Sequence, residues 1–303
     1  MRPIEIVEVG ARDGLQNEPE LVPTSVKIAL IERMIAAGVK RLETASFVNP
    51  RRVPQMADAE AVMESLPDTH DIVYIGLVLN ERGAERALQT KVHQLGAVAV
   101  ASDTFAMRNQ GQTSNDSVAI SKSIINMAKA HGRSGQVTIS AAFGCPFEGK
   151  VDPARVVSMA EELAESGPCE IALADTIGVG VPAQVTALLS AVRKVIGDIP
   201  LRAHFHNTRN TGLANAWAAY EAGVTTLDSS LGGLGGCPFA PKATGNIPTE
   251  DLVYLLTRSG IISGLDLDRL IDASTWLTHI MKRTLPAMVS RAGNFPAQEP
   301  LTA

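Results

Sequence analysis

The chain has 303 residues, enough for a single α/β barrel of about 250 residues with additions and too long for a small binding module. Hydrophobic residues make up 45%, aromatics only 4%, and there are 25 glycines, a composition that excludes a disordered or collagen-like chain and fits an aliphatic-rich α/β enzyme. The formal net charge is -5 and no basic arm or helix appears, which argues against a nucleic-acid partner while leaving room for a local basic patch.

In chain order, apolar β-rich runs alternate with amphipathic windows. Strands are predicted at residues 4–9, 41–45, 72–78, 97–101, 137–143, 170–174, 201–206 and 225–229. Helices are predicted at 25–37, 57–65, 81–90, 115–131, 153–166, 182–195, 211–222 and 249–259. Thr24 or Ser25 supplies a start signal for the first helix, and Asp152-Pro153 for the fifth. Strict alternation predicts a parallel sheet with helices outside, and eight units favour closure into a (β/α)8 TIM barrel over an open doubly wound sheet. Residues 267–285 read as an extra C-terminal helix that packs on the barrel or on another subunit, so a homodimer is expected. The catalytic domain is placed at 1–290, with a loosely held tail from Arg291.

Three scattered cysteines, Cys145, Cys169 and Cys237, fit a reducing compartment without a disulfide framework. The first residues hold no apolar signal core and no apolar run approaches the ~20 residues of a membrane span, so a cytoplasmic protein with no membrane partner is expected.

Barrel active sites lie at the carboxyl ends of the strands, which narrows the search. The first strand ends in the polar run from Arg12 and Asp13 to Glu18; the second carries Glu43; the sixth ends at Asp175; the seventh carries His204 and His206. Residues two apart on a strand share a face, so the two imidazoles project together. An isolated Arg-Asp-Gly also reads as a surface turn, a histidine pair as a solvated one, and Glu43 or Asp175 as the buried partner of an arginine. Four strand ends with ionisable groups at one barrel mouth favour a site over these readings. Asp13, His204 and His206 would offer one carboxylate and two imidazoles, with Asn246 adding an amide oxygen. No cysteine stands at structural-zinc spacing, and this donor set suits Mg²⁺ or Mn²⁺, with zinc and iron as further options. Cys237 follows Gly232, Gly233, Gly235 and Gly236, a composition suited to a loop that closes over a barrel site and delivers a thiol as proton donor or acceptor. A small buried side chain is the competing reading for that cysteine.

These residues sit in ordered segments: Val7-Glu8-Val9-Gly10 with Arg12-Asp13-Gly14-Leu15-Gln16-Asn17-Glu18, Ser46-Phe47-Val48, Val53-Pro54-Gln55-Met56, Gly144-Cys145-Pro146-Phe147-Glu148-Gly149, Ala174-Asp175-Thr176-Ile177-Gly178, His204-x-His206, Gly233-Leu234-Gly235-Gly236-Cys237-Pro238, and Thr244-Gly245-Asn246. In them the chain closely resembles the 3-hydroxy-3-methylglutaryl-CoA lyase family of metal-dependent barrel lyases, over most of its length. The resemblance implies retro-Claisen cleavage of a 3-hydroxyacyl-CoA to acetyl-CoA and a keto acid. It also implies that Asp13, His204, His206 and Asn246 bind the metal, that Arg12 stands beside the thioester oxygen and that Cys237 protonates the enolate. By the same resemblance, Glu43 and Asp175 orient Arg12 and relay the hydroxyl proton.

The chain departs from the family pattern at two places. After the second histidine the usual Asp-Thr-Tyr-Gly run is replaced by Asn207-Thr208-Arg209-Asn210, and the usual Ser-Pro-Lys-Trp by Asn49-Pro50-Arg51-Arg52. Arg51 and Arg52 keep positive charge for CoA phosphates, or are a solvated pair. Arg209 would hold the carboxylate of a related substrate such as citramalyl-CoA, whose cleavage releases pyruvate, or points outward to a neighbouring helix. A Claisen-type condensing synthase on the same barrel, and a CoA- or metal-binding protein with a decayed site, are the competing functions. The glycine-flanked Cys237 and the absence of a long regulatory domain favour the lyase.

Overall fold

The computed structural model describes residues 1–236 and 245–296. Eight strands close into a barrel in chain order: β1 (Glu5–Glu8), β2 (Arg41–Ser46), β3 (Val73–Leu77), β4 (Gln94–Val100), β5 (Ser134–Ser140), β6 (Ile171–Asp175), β7 (Leu201–Phe205) and β8 (Thr226–Ser229). Each neighbouring pair is parallel, and β1 meets β8 from Glu5↔Thr226 to Glu8↔Ser229, which closes the cylinder. The connecting helices are α1 (Thr24–Ala36), α2 (Ala59–Ser65), α3 (Glu81–Leu88), α4 (Asp103–Gln110), α5 (Ser114–Ala130), α6 (Pro153–Ala164), α7 (Pro182–Arg193) and α8 (Gly212–Glu221). After β8 come α9 (Thr249–Arg258), α10 (Leu267–Met281) and α11 (Val289–Ala292). Among the described residues no helix is long and apolar enough to cross a membrane.

The (β/α)8 expectation is borne out, and the two faces of each strand explain how. On β7, Leu201, Ala203 and Phe205 belong to the apolar layer beneath the helices, while Arg202 and His204 alternate with them and line the interior cavity. The main core is therefore the sleeve between sheet and helices. The base of the interior is ionic: Arg41 binds Glu170 at 3.0 Å and Glu5 at 2.7 Å, and Arg202 lies 3.5 Å from Glu170 and 2.8 Å from Asp228.

Several boundaries differ from expectation for local reasons. The loop expected after β4 contains α4, whose weak apolar pattern buries only Phe105 and Ala106. β4 and β5 begin earlier, pairing Gln94 with Ser134, because Gln94 finds a partner in Arg41 at 3.2 Å. β5 stops at Ser140, since Ala141 takes a left-handed φ of 55°. Asp152 caps α6 by accepting from the Ala154 amide at 2.9 Å, as its Asp-Pro signal predicts. At α1 neither Thr24 nor Ser25 caps: the helix starts at Thr24, whose hydroxyl donates to Asp58 at 2.7 Å. The C-terminal helix ends at Met281, where Lys282 adopts φ 51°, and α11 spans Arg291, where the loose tail was expected to begin.

Two buried acids pin the chain beyond β8. Glu8 accepts from the amides of Gly10 at 2.8 Å and Leu231 at 2.9 Å and from the Thr249 hydroxyl at 2.6 Å. Glu250 accepts from the amide of Gly232 at 3.0 Å. Burial pushes Glu8 up to about 7, against the opposing pull of Thr249 and the two amides, and pushes Glu250 up to about 7 against the Ser274 hydroxyl and the Gly232 amide. An acid with a raised folded pKa binds its proton more tightly in the folded chain, so the stability it contributes is present below the unfolded value of 4.5 and is lost as pH rises towards about 7. Each group then costs about 1.4 kcal/mol per pH unit across that window. Urea midpoints at acid and at neutral pH should therefore differ less in Glu8→Gln than in the parent; an identical pH dependence would contradict the assignment. In the same assay Leu173→Ala, which opens a cavity at a fully buried position under the helices, should cost about 2–5 kcal/mol at every pH.

Candidate metal centre and active site

The residues after β1 form a wide turn, Gly10–Gly14, in which the amides of Arg12, Asp13 and Gly14 all donate to the Val9 carbonyl, at 3.1, 2.7 and 3.1 Å. Gly14 allows a close approach there: a Cβ would stand 2.8 Å from Ser230 Oγ, which would have to shift. This turn aims Arg12 and Asp13 together into the barrel mouth. Arg12 Nη1 donates to Asp13 Oδ1 at 2.5 Å and Nη2 to Glu43 Oε2 at 2.6 Å, so a buried glutamate on β2 holds the guanidinium in place. The other oxygen of Asp13 faces β7, 4.0 Å from His204 Nε2 and 3.7 Å from His206 Nε2.

Asp13, His204 and His206 are, among the described residues, the cluster of potential metal ligands, with one donor atom from each within 4.8 Å of the others. Burial would raise the Asp13 carboxyl, but Arg12 and the two imidazoles outweigh it and hold Asp13 well below its usual range. Burial would lower His204, but Asp228, 3.0 Å from Nδ1, and Asp13 push it up. With Nδ1 donating to Asp228, His204 presents Nε2 to the site. The set of one carboxylate and two imidazoles fits a divalent cation with N/O preference. It lies at the floor of a cavity of about 450 Å³, so ligand positions remain for substrate oxygens.

The other expected residues separate. Asn246 comes to Asp13 through a short bridge between its segment and His206, yet it turns its amide nitrogen on Asp13 Oδ2 at 2.9 Å and on the Leu234 carbonyl at 3.1 Å. Its amide therefore stands against the ligand cluster at Asp13. Asp175 does not orient Arg12: its two oxygens accept from the amides of Val179 and Gly180, both at 2.9 Å, because a fully buried carboxylate at a strand end needs donors and the tight turn after β6 supplies them. Arg209 is exposed and donates through Nη1 to the carbonyls of Ile177 and Gly178 at 3.1 and 3.0 Å, which ties it to that same turn and away from the cavity lining. Arg52 lines the mouth of the main cavity, while Arg51 lines a second cavity of about 680 Å³ that shares Asn49 and Asn80 with it. Cys237 lies outside the described residues. The residue before it, Gly236, lines the main cavity, and its carbonyl accepts from Asn17 Nδ2 at 2.9 Å.

Sequence reasoning missed Arg202 and Asp228. Both carried a signal: Arg202 is two residues before His204 and so shares its face, and Asp228 is a carboxylate inside an otherwise apolar strand, where burial demands a partner. It also missed the cavity hydroxyls of Thr138, Ser140 and Thr176.

Comparison with known proteins bears on the family and the fold. The sequence profile of the HMGL-like family matches residues 3–277. The chain is 45% identical over 304 residues to an (R)-citramalyl-CoA lyase of Chloroflexus aurantiacus, covering 97% of this chain and 96% of the relative. It is 40% identical over 289 residues to the mitochondrial hydroxymethylglutaryl-CoA lyase of Rattus norvegicus, covering 95% and 89%. A solved HMG-CoA lyase from Acenitobacter baumannii, in complex with coenzyme A and 3-methylmalate, superposes with a TM-score of 0.93 at 40% identity, covering 99% of this chain and 98% of that one. A profile that spans nearly the whole barrel, together with relatives matched end to end, makes the chain a member of the HMGL-like family of TIM-barrel carbon–carbon lyases.

Proposed function

We propose that the protein cleaves a 3-hydroxyacyl-CoA by a retro-Claisen reaction, with 3-hydroxy-3-methylglutaryl-CoA giving acetyl-CoA and acetoacetate as the principal reading. The observation that carries it is Arg12: a guanidinium fixed by Glu43 at 2.6 Å, directly beside the Asp13–His204–His206 cluster at the cavity floor. The 45% identical citramalyl-CoA lyase supports a second substrate, citramalyl-CoA, which would give pyruvate in place of acetoacetate.

In this reading Asp13, His204 and His206 would hold a divalent cation, Mg²⁺ or Mn²⁺, which would supply Lewis-acid polarisation of the substrate oxygens. Asn246, whose amide sits on Asp13, would add its oxygen to that ligand set. As the C2–C3 bond breaks, its electron pair moves into the thioester as an enolate, and Arg12 is the preorganised cation beside that oxygen. Cys237 then delivers a proton to the enolate carbon, giving acetyl-CoA, while the C3 hydroxyl passes its own proton into the carboxylate relay expected of Glu43 and Asp175 and becomes the ketone of the second product. One proton lost and one gained balance the step, so neither water nor a redox partner is consumed. Asn17, bound to the Gly236 carbonyl, holds the residue before Cys237 at the cavity lining. Arg52 at the mouth, with Arg51 beyond it, supplies positive charge for the phosphates of CoA.

Purified protein should release acetyl-CoA from 3-hydroxy-3-methylglutaryl-CoA or citramalyl-CoA, lose the activity after exhaustive chelation, and regain it with Mn²⁺ or Mg²⁺. Full turnover after chelation, or none with either thioester, would sink the reading. Arg12→Met should lower kcat by about 10²–10³-fold, in the range seen when one preorganised oxyanion donor is removed. Arg52→Ala should raise KM for the CoA ester with a smaller change in kcat; the reverse pattern would place Arg52 in the chemistry.

A further inference from the structure

We propose that Arg202 and Asp228 are positioning residues of the metal centre: Asp228 holds the ring and tautomer of His204 so that Nε2 faces Asp13, Arg202 holds Asp228, and the pair thereby sets the affinity of the site for a divalent cation. The proposal rests on the metal-binding reading above and extends it to two residues outside the cluster of metal ligands.

The strand register builds this arrangement. β7 and β8 pair Arg202↔Thr226 and Ala203↔Leu227, and continuing that register by one residue sets His204 beside Asp228 on the same face. Asp228 is 3% exposed; its Oδ2 lies 3.0 Å from His204 Nδ1, and its Oδ1 lies 2.8 Å from Arg202 Nε. Arg202, at 2% exposed, is held in turn by the Gln136 amide oxygen and by Glu170 at 3.5 Å. One carboxylate oxygen thus faces the histidine and the other faces the arginine, the second as an ion pair by distance whose two atoms make no hydrogen bond.

A buried carboxylate and a buried guanidinium are expensive to desolvate, and replacing such a pair with apolar side chains is often neutral or stabilising. Stability alone therefore gives a weak reason for this pair to occupy the barrel interior. The geometry gives a stronger one. An imidazole that donates Nδ1–H to a carboxylate carries its lone pair on Nε2, is more basic there, and does not rotate away. His206, whose Nδ1 is buried without a hydrogen-bond partner, lacks this support, so His204 is the better anchored of the two imidazoles.

The test is Mn²⁺ binding to metal-stripped protein, followed through the electron paramagnetic resonance signal of free Mn²⁺. Asp228→Asn should weaken binding about 10–100-fold, the usual effect of losing a hydrogen-bond partner of a ligating histidine. Arg202→Lys, which keeps the charge but moves it from beside Asp228 Oδ1, should weaken it less. An unchanged Mn²⁺ affinity in a folded Asp228→Asn protein, even with a lowered unfolding temperature, would make the pair purely structural and overturn the proposal. If Asp228→Asn does not fold, nitrogen-15 histidine spectra of the parent protein loaded with Mg²⁺ decide the matter. A proton on His204 Nδ1 supports the assignment, and a bare Nδ1 overturns it. Should the parent protein itself fail to bind Mn²⁺, both this proposal and the metal-binding reading fall. Binding that survives Asp228→Asn removes this proposal alone.

Discussion

Everything at the mouth of this barrel converges on one carboxylate, Asp13. One of its oxygens is bound by Arg12, and the other faces His204 and His206 and accepts from Asn246. Four chain segments, the turn after β1, strand β2 through Glu43, strand β7 and the stretch around Asn246, meet there although up to 233 positions separate their residues in sequence. The low-dielectric surroundings make each of these contacts stronger than it would be in water, and would make any one of them costly to leave unpaired.

That constraint runs down the inside of the barrel. Below Asp13 come His204 and Asp228, then Arg202, Glu170 and Arg41, with Glu5 at the far end. Arg12, Arg41 and Arg202 stand against Asp13, Glu43, Glu170 and Asp228, so the column carries more carboxylates than guanidinium groups. A barrel interior filled with branched aliphatic layers would cost less desolvation. The apolar driving force for folding is placed instead in the outer sleeve, where a continuous aliphatic cluster joins strands to helices. The division of labour is physical: the sleeve stabilises, and the interior, bound by directed charge pairs, holds side chains in fixed orientations for chemistry.

The loops are secured by the same device. Glu8 and Glu250 bind the backbone of Leu231 and Gly232 at the root of the glycine-rich segment, and Asp175 binds Val179 and Gly180 in the turn after β6. Arg209 adds its guanidinium to the carbonyls of that turn. Acidic side chains at strand ends therefore divide into two kinds. Asp13 and Glu43 face the cavity or its arginine, while Glu8, Asp175 and Glu250 spend their oxygens on backbone amides.

That division is where the sequence ran out. Strand alternation was legible because period and apolar content are local: eight strands with intervening helices imply the barrel, and the i, i+2 spacing of His204 and His206 puts both imidazoles on one face. The family motifs carried Arg12 and Asp13 in the same way. A carboxylate at a strand end, however, looks the same in sequence whether it meets a guanidinium or an amide, so the sequence does not tell that Glu43 binds Arg12 while Asp175 binds the amides of Val179 and Gly180. The type of Arg209 beside the histidines suits either a substrate carboxylate or an outward-facing side chain, and its bonds to the carbonyls of Ile177 and Gly178 could not be read from the sequence. Arg202 and Asp228 carried their alternation and burial signals but not their partners. Chain-local patterns determined the barrel and the ligand face; which buried charge pairs with which was decided only when the cylinder closed, because strand register sets those distances.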